Sequence, residues 1–246
     1  SSEIKEQNWF WKAIDKIEGD KVVWIILFFL TMISALAIFS STSQLTGGNI
    51  DRIDLIREHA GFIAIGYGFV ILLYRVKRIG VFQAVSQLGF LLTLVMLLLL
   101  VSHVDLGFLK AQYINKAWRT LSLFGFQIHV YEVAKVAMVM YLAWACNAYT
   151  QDQKEMKAKG KSNKLFIANR LARINAFNFM AKPFAKRAMY MYMPALVVCA
   201  LTFKGSNSSA IFLALVMLAT LLLGGIPFKE ILLGGVIGIM LLASTV

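Results

Sequence analysis

Residues 116–145 read KAWRTLSLFGFQIHVYEVAKVAMVMYLAWA, a polar and aromatic stretch that becomes apolar from Val130 onward. Two ionisable residues, Glu132 and Lys135, interrupt the apolar part. Charges within a membrane-spanning segment are costly, so they usually face a partner or a water-filled cavity. Because the two residues are three positions apart on a predicted helix, they share one face and are expected to pair with each other.

The composition of the chain indicates an α-helical membrane protein. It has 246 residues, of which 59% are hydrophobic, and its mean hydropathy is +0.69. A soluble domain is about half apolar. The apolar runs are long and continuous rather than alternating, so they predict helices, which satisfy their own backbone hydrogen bonds in lipid. The two cysteines, Cys146 and Cys199, lie in apolar runs and indicate neither a disulfide framework nor a metal site.

The apolar runs predict an all-α polytopic membrane protein, with one transmembrane domain over residues 22–246. Seven spans are predicted, at residues 22–39, 60–74, 81–101, 130–148, 189–203 and 210–225, and from residue 231 onward. Residues 1–21 place apolar side chains at helical spacing opposite lysines, which predicts a cytoplasmic amphipathic helix on the membrane surface, with an irregular tail as the alternative. Residues 102–129 are predicted to be a polar and aromatic loop.

The distribution of lysine and arginine predicts the orientation of the chain. With the N-terminus inside, eighteen of the 25 cations fall in cytoplasmic segments and six in outer segments, which favours a cytoplasmic N-terminus. The cytoplasmic loop at residues 149–187 holds ten cations against two acids, and we expect part of it to lie on anionic lipid headgroups as a basic amphipathic helix. This topology explains the net charge of +12, so no nucleic-acid partner is expected.

The segment around Glu132 and Lys135 also carries a family resemblance. Family members read roughly G-A-x-R-W, then a short turn with Gly and Phe, then Q-P-S-E-F-A-K and an apolar helix. This chain reads Ala117-Trp118-Arg119, then Gly125-Phe126-Gln127, then Tyr131-Glu132-Val133-Ala134-Lys135. It therefore resembles the SEDS family (shape, elongation, division and sporulation), the FtsW/RodA/SpoVE-like peptidoglycan polymerases. Ser40-Ser41-Thr42-Ser43 and the stretch Gly205-Ser206-Asn207-Ser208-Ser209-Ala210 are weaker similarities to the same family.

The resemblance implies a peptidoglycan glycosyltransferase of the bacterial cytoplasmic membrane. Such enzymes polymerise lipid II at the outer face of the membrane during cell division or elongation, with a class B penicillin-binding protein (a transpeptidase) and other division or elongation proteins as partners. Family members have about ten spans, so the chain is expected to correspond to the N-terminal two-thirds and to be truncated at its C-terminus. The family's catalytic Asp is expected beyond Val246, so these 246 residues alone are expected to make no glycan.

Four residues are the candidates for a substrate-binding cavity: Arg57, Arg119, Glu132 and Lys135. The two arginines lie near predicted outer span ends, where a guanidinium could bind pyrophosphate oxygens in bidentate fashion; snorkelling to lipid phosphate is the alternative. Glu132 and Lys135 are expected to shape the polar cavity, or else to act as a structural clamp. As a buried pair they should be energetically coupled, and breaking such a pair costs on the order of 3–5 kcal/mol.

Other polar residues yield no further site. His59, His103 and His129 fall near the predicted outer interface, but their spacing matches no metal-ligand pattern, so no metal site is expected. The outer carboxylates sit in no catalytic motif: Asp51, Asp54, Glu58 and Asp105. No cofactor is evident, although a divalent cation remains an option for pyrophosphate chemistry.

Two other functions fit the same sequence. Charges within spans and a break around Gly205 also suit a flippase or transporter for a lipid-linked precursor. The third hypothesis is a non-catalytic scaffold for a transpeptidase partner. The residues do not separate a division role from an elongation role.

Overall fold

The computed structural model describes residues 20–45, 52–114, 117–124, 126–174, 179 and 181–243. The predicted amphipathic segment at residues 1–21 lies outside these ranges, apart from Asp20 and Lys21. Contacts divide the chain into two compact units, Ser1–Lys77 (unit 1) and Arg78–Val246 (unit 2).

The described part of unit 1 is a pair of helices, α1 (Lys21–Leu45) and α2 (Arg52–Arg75). The hydroxyl oxygens of Thr31 and Tyr67 lie 3.1 Å apart, and the rings of Trp24 and Tyr74 meet edge to face at 5.9 Å. Early positions of α1 therefore meet late positions of α2, so the two helices run antiparallel. Both predicted spans of this unit lie within these helices, and α2 begins earlier than its span because residues 52–58, predicted as loop, are helical.

The described part of unit 2 contains helices of 5 to 30 residues, a sheet and short connections. Its described helices are α3 (Ile79–Val101), α4 (Val130–Lys159), α5 (Phe166–Leu171), α6 (Pro183–Arg187), α7 (Met193–Gly205), α8 (Asn207–Leu223) and α9 (Phe228–Ala243). A π-helical turn, Ala188–Tyr192, connects α6 to α7 without a break. Only Ser206 separates α7 from α8, so the interruption predicted over residues 204–209 is a single residue long.

The core of unit 2 forms where α4 packs against α3 and α8. Leu97, Met138 and Leu142 are fully buried there, and Leu213 of α8 is 1% exposed. Alanines let α4 approach its neighbours closely, as small residues do in membrane helices: a Cβ added at Gly89 of α3 would lie 3.6 Å from the Cβ of Ala137. This packing sets the position of both ends of α4.

Residues 102–129 are not the loop that the sequence predicts. They contain a three-stranded antiparallel sheet of β1 (Leu109–Ile114), β2 (Ala117–Leu123) and β3 (Phe126–His129), in the order β1-β2-β3. The expectation of an all-α chain is corrected to that extent. We call the end of unit 2 that carries this sheet the sheet end.

The opposite end of unit 2, where α4 ends and α6 begins, is rich in lysine and arginine, and we call it the basic end. The predicted basic loop at residues 149–187 is wrong in its first part, because α4 continues as helix to Lys159. Lys154, Lys157 and Lys159 are exposed in this part of the helix, whereas Asp152 is buried, and its hydrogen bonds to Asn169 and Lys186 favour continuation of the helix. Only short helices, α5 and α6, occur in the described remainder.

Apolar helices with exposed side chains identify a helical membrane protein. In the part of the chain that the structure describes, three helices are long and apolar enough to cross a membrane, at Lys21–Ser40, Ile79–Val101 and Pro183–Gly205. His59–Arg75 and Asn207–Leu223 are shorter apolar helices. Along α1, large apolar side chains such as Phe29 and Leu36 are about 60% exposed, an apolar surface that lipid would cover.

Candidate functional site

The sheet end is held together by the close approach of three elements. The Tyr131 hydroxyl, in the first turn of α4, donates a hydrogen bond to the Trp118 carbonyl oxygen of β2 at 2.5 Å. The end of α7 lies so close that a Cβ at Gly205 would come within 2.0 Å of that hydroxyl and 3.0 Å of that carbonyl oxygen. A side chain at position 205 would therefore have to push the sheet or Tyr131 aside.

A polar cavity opens beside this junction, with a volume of about 340 Å³. Its wall is formed by the end of α3, by β2 and by the end of α7: Leu100, Val101, His103, Trp118, Lys204 and Gly205. His103 has a positive φ of 50° and sets its ring 4.2 Å from the Trp118 ring. Lys204 is exposed, so the cavity carries a cation at its rim.

Arg119 follows Trp118 on β2 and is half-buried. Its Nε–H is buried and has no acceptor among the described residues. A buried donor without a partner loses the hydrogen bond that water would give it, at a cost of about 1–3 kcal/mol. The guanidinium is therefore suited to donate a hydrogen bond to an anionic oxygen, although Arg119 is not one of the residues that line the cavity.

Glu132 and Lys135 form the contact that their spacing predicts. Lys135 Nζ donates to Glu132 Oε1 at 2.6 Å, and the same ammonium lies 5.0 Å from the ring centre of Phe212 on α8. Glu132 is in the first turn of α4, where a negative charge complements the helix N-terminus. However, the Glu132 side chain is 69% exposed and that of Lys135 26%, so the pair is not the buried couple that the sequence suggests.

Arg57 and the three histidines are divided between the two units. Arg57 is exposed on α2 in unit 1, and His59 on the same helix meets the Ser34 hydroxyl of α1 at 3.2 Å. In unit 2, His129 is exposed at the end of β3, while His103 lines the cavity. No group of three His, Cys, Asp or Glu side chains within the described ranges is arranged to hold a metal ion.

The carboxylates differ in how far the structure describes them. Asp51 lies outside the described residues, and so do the side chains of Asp54 and Glu58 on α2. Asp105, before β1, pairs with Lys110 at 3.1 Å and accepts a hydrogen bond from the Gly107 amide at 3.2 Å. These two hydrogen bonds hold the pKa of Asp105 below its ordinary value, and the one from Lys110 has the larger effect. A carboxylate so stabilised in its charged form is a weak general base.

The basic end holds a buried ion pair that the sequence reasoning missed. Lys186 Nζ lies 2.5 Å from Asp152 Oδ2, and the two side chains are 2% and 0% exposed. Asn169 Nδ2 donates to the other oxygen of Asp152 at 2.7 Å, so α4, α5 and α6 meet at one carboxylate. Burial raises the pKa of Asp152, but the hydrogen bonds from Lys186 and Asn169 outweigh it, and the net pKa is lowered.

A second cluster lies next to it. The Arg187 guanidinium binds both carboxylate oxygens of Glu230, through Nε at 2.8 Å and Nη2 at 2.5 Å, and also contacts the Tyr149 hydroxyl. Tyr192 donates to the same carboxylate at 3.1 Å. Two of the ten cations of residues 149–187, Lys186 and Arg187, are therefore engaged by carboxylates within the protein.

Both clusters join residues more than thirty positions apart, so no local spacing indicated them. The one available signal was Asp152 itself, an acid with a polar neighbourhood at the end of an apolar run. An acid in that place among ten cations is a candidate for a structural ion pair.

Comparisons with family models, with curated proteins and with solved structures found no match to this chain.

Proposed function

We propose that this chain is an FtsW-like member of the SEDS family and that its sheet end binds lipid II for peptidoglycan polymerisation. In this proposal seven spans cross the bacterial cytoplasmic membrane, the N-terminus is cytoplasmic and the sheet end faces outward. The similarity of residues 117–135 to the family's sequence pattern is the premise.

The unpartnered Nε–H of Arg119 is the observation that supports this proposal most. It lies at the sheet end, where the cavity wall also carries Lys204 and His103. A diphosphate offers oxygens that a guanidinium can bind in bidentate fashion, with charge-assisted hydrogen bonds. A lipid-linked pyrophosphate would therefore satisfy a donor that the described residues leave without an acceptor.

The reaction transfers the growing glycan from its pyrophosphate lipid to a sugar hydroxyl of the next lipid II. A base must take the proton of that hydroxyl, and cations must stabilise the departing pyrophosphate. Arg119 and Lys204 suit the cation role. Glu132 does not suit the role of base because it is paired with Lys135, and Asp105 does not suit it because its pKa is lowered.

A flippase for a lipid-linked precursor is the second candidate. The break between α7 and α8 supports it, because Ser206 is extended (φ −161°) between two apolar helices. Interrupted helices expose backbone groups that transporters use to bind substrate.

Binding of lipid II to the purified chain tests the proposal. We expect fluorescent lipid II to bind in detergent micelles, and Arg119→Gln to weaken its affinity about tenfold or more, since hydrogen bonds to charged groups contribute about 1.5–3 kcal/mol. Arg119→Lys keeps the charge and should lose less. Lys154→Gln, which removes one exposed cation at the basic end, is the matched control and should bind as the unaltered chain does.

The outcomes separate the candidates. Equal binding by Arg119→Gln and the unaltered chain contradicts the proposed site. Movement of lipid II across liposomes without polymer favours the flippase. If the chain binds lipid II and associates with a transpeptidase partner but neither forms polymer nor transports lipid II, the scaffold hypothesis remains.

Orientation is tested by labelling introduced cysteines with an impermeant reagent. A thiol at Gln112, on β1, should react from outside the cell, and one at Lys161, at the basic end, only from inside. The reverse pattern contradicts the orientation and, with it, the outward-facing site.

A further inference from the structure

The basic end contains two adjoining cavities that the proposed function does not use. The larger has a volume of about 420 Å³ and the smaller about 250 Å³, and they share Ser162, Asn169 and Arg173 in their walls. Lys161 lines the larger cavity and Arg170 the smaller one. Ligand pockets in proteins measure about 300–1,000 Å³, so this pair is of a size for a small polar group.

Three cations of these walls lack a counter-charge. Within the described residues, no carboxylate lies within 4.0 Å of Lys161, Arg170 or Arg173. The two carboxylates closest in sequence are already engaged: Lys186 and Asn169 hold Asp152, and Glu155 accepts a hydrogen bond from the Ser162 hydroxyl at 2.9 Å. The cavities are therefore positively charged and have no carboxylate in their described walls.

The buried ion pair gives these cations a fixed support. Asn169 donates to Asp152 and also to the Ser162 carbonyl oxygen at 3.1 Å, which ties the turn before α5 to α4. Arg170 packs its guanidinium over the Phe166 ring at 5.6 Å. The neighbour of Arg170, Asn169, is thus held by two hydrogen bonds, and the Arg170 guanidinium itself packs on a ring.

From this arrangement we propose that the basic-end cavities bind the phosphate group of an anionic ligand through Lys161, Arg170 and Arg173. Guanidinium groups match phosphate oxygens in bidentate geometry, and a lysine adds a point charge. Asn163, which lines the smaller cavity, supplies a neutral donor.

Two sources could supply that phosphate, a membrane phospholipid and a soluble phosphate ester. Phe166 and Ile167 of α5 are 57% and 54% exposed, next to Arg170. A short segment that exposes apolar side chains beside cations fits the boundary between acyl chains and headgroups. We therefore expect phosphatidylglycerol to bind, with phosphatidylcholine as its zwitterionic comparison.

Native mass spectrometry of the delipidated chain, titrated with each lipid, measures the affinity of the site for that lipid. The triple variant Lys161→Gln, Arg170→Gln and Arg173→Gln should bind phosphatidylglycerol at least about tenfold more weakly than the unaltered chain. The matched control is Lys154→Gln, Lys157→Gln and Lys159→Gln, which removes three exposed cations of α4 that line neither cavity. The control should change the affinity less than about twofold, since exposed cations outside the site contribute little each.

Equal losses in the two triple variants would overturn the site, because they would show a diffuse charge effect. Equal affinity of the unaltered chain for phosphatidylglycerol and phosphatidylcholine, together with no binding of inorganic phosphate, would also overturn it. If inorganic phosphate binds to the unaltered chain but not to the first variant, while the lipids show no preference, the site stands with a soluble ester as its ligand. Unchanged melting temperatures of both variants exclude unfolding as the cause, and Arg173→Gln alone replaces the triple variant if it unfolds.

Discussion

Each end of unit 2 carries a short ion pair, and the two pairs differ in every respect except length. At the sheet end, Lys135 and Glu132 lie on one helix, 2.6 Å apart, and Glu132 is 69% exposed. At the basic end, Lys186 and Asp152 are 2.5 Å apart, 34 positions apart in sequence and almost fully buried. Length alone therefore says little about what a pair contributes, since an exposed pair can be screened by its surroundings and a buried pair is not.

The largest effect is expected when the buried pair loses one member. Asp152→Ala leaves the Lys186 ammonium buried without a counter-charge, which should lower the free energy of unfolding by about 3–5 kcal/mol. Denaturant unfolding in mixed micelles measures it. Adding Lys186→Met to this variant should restore part of the loss, because it removes the stranded charge. Additive effects of the two substitutions would show that the residues are not coupled.

A smaller effect is expected where the sheet end depends on close approach rather than on charge. Gly205→Ala places a methyl group 2.0 Å from the Tyr131 hydroxyl, so we expect a loss of about 1–3 kcal/mol in the same unfolding measurement. Removing the hydroxyl with Tyr131→Phe should relieve part of that loss. Gly80→Ala in α3 is the control, since its methyl group meets nothing within 4 Å, and an unchanged stability in Gly205→Ala would contradict the close approach.

Breaking the exposed pair should have less effect still. A double-mutant cycle with Glu132→Ala and Lys135→Ala should give a coupling energy of about 1 kcal/mol or less, as for exposed pairs elsewhere. This is well below the value expected from the sequence, which assumed a buried pair. A coupling energy as large as that of Asp152 and Lys186 would show that lipid or protein covers Glu132.

The smallest effect on the free energy of unfolding is expected when the pH is lowered. Because the pKa of Asp152 is lower in the folded chain than its ordinary value of about 3.9, folded Asp152 holds its proton less tightly than unfolded Asp152. The stability that it contributes is thus present at neutral pH and is lost as the pH falls through its folded pKa, below about 4. The slope of unfolding free energy against pH in that range should be reduced in Asp152→Asn. An identical slope in both chains would assign the acid sensitivity to other carboxylates.

The same contrast explains what the sequence could predict. Glu132 and Lys135 were found because a helix brings positions three apart onto one face, whatever the rest of the fold does. Asp152 and Lys186 meet only because α5 and α6 fold back onto α4, and one sequence contains no local signal for that. The exposure of Glu132 likewise depends on which neighbours cover it, so the contact was predictable and its burial was not.

The sheet was missed for a different reason. Residues 109–129 are short strands with polar residues on both faces, and they lie between two spans of high hydropathy, so loop was the default prediction. The chain turns at Phe124, whose φ is +50°. The signal available in the sequence was the Gly125 that follows it, since a glycine between two short runs with aromatic and β-branched residues is typical of a hairpin turn. The helices were predictable because long apolar runs permit little else in lipid.

The length of α4 has a mechanical consequence. Glu132 and Asp152 are twenty positions apart on one uninterrupted helix, a distance of about 30 Å at 1.5 Å per residue. The buried contacts of Asp152 hold this rod at the basic end, and the hydrogen bond from the Tyr131 hydroxyl to the Trp118 carbonyl oxygen holds it at the sheet end. A tilt of about 5° about one end would displace the other by about 2.6 Å over that length, which the contacts at the far end and the buried middle of α4 oppose. The helix therefore acts as a strut that fixes the separation of the two ends of unit 2.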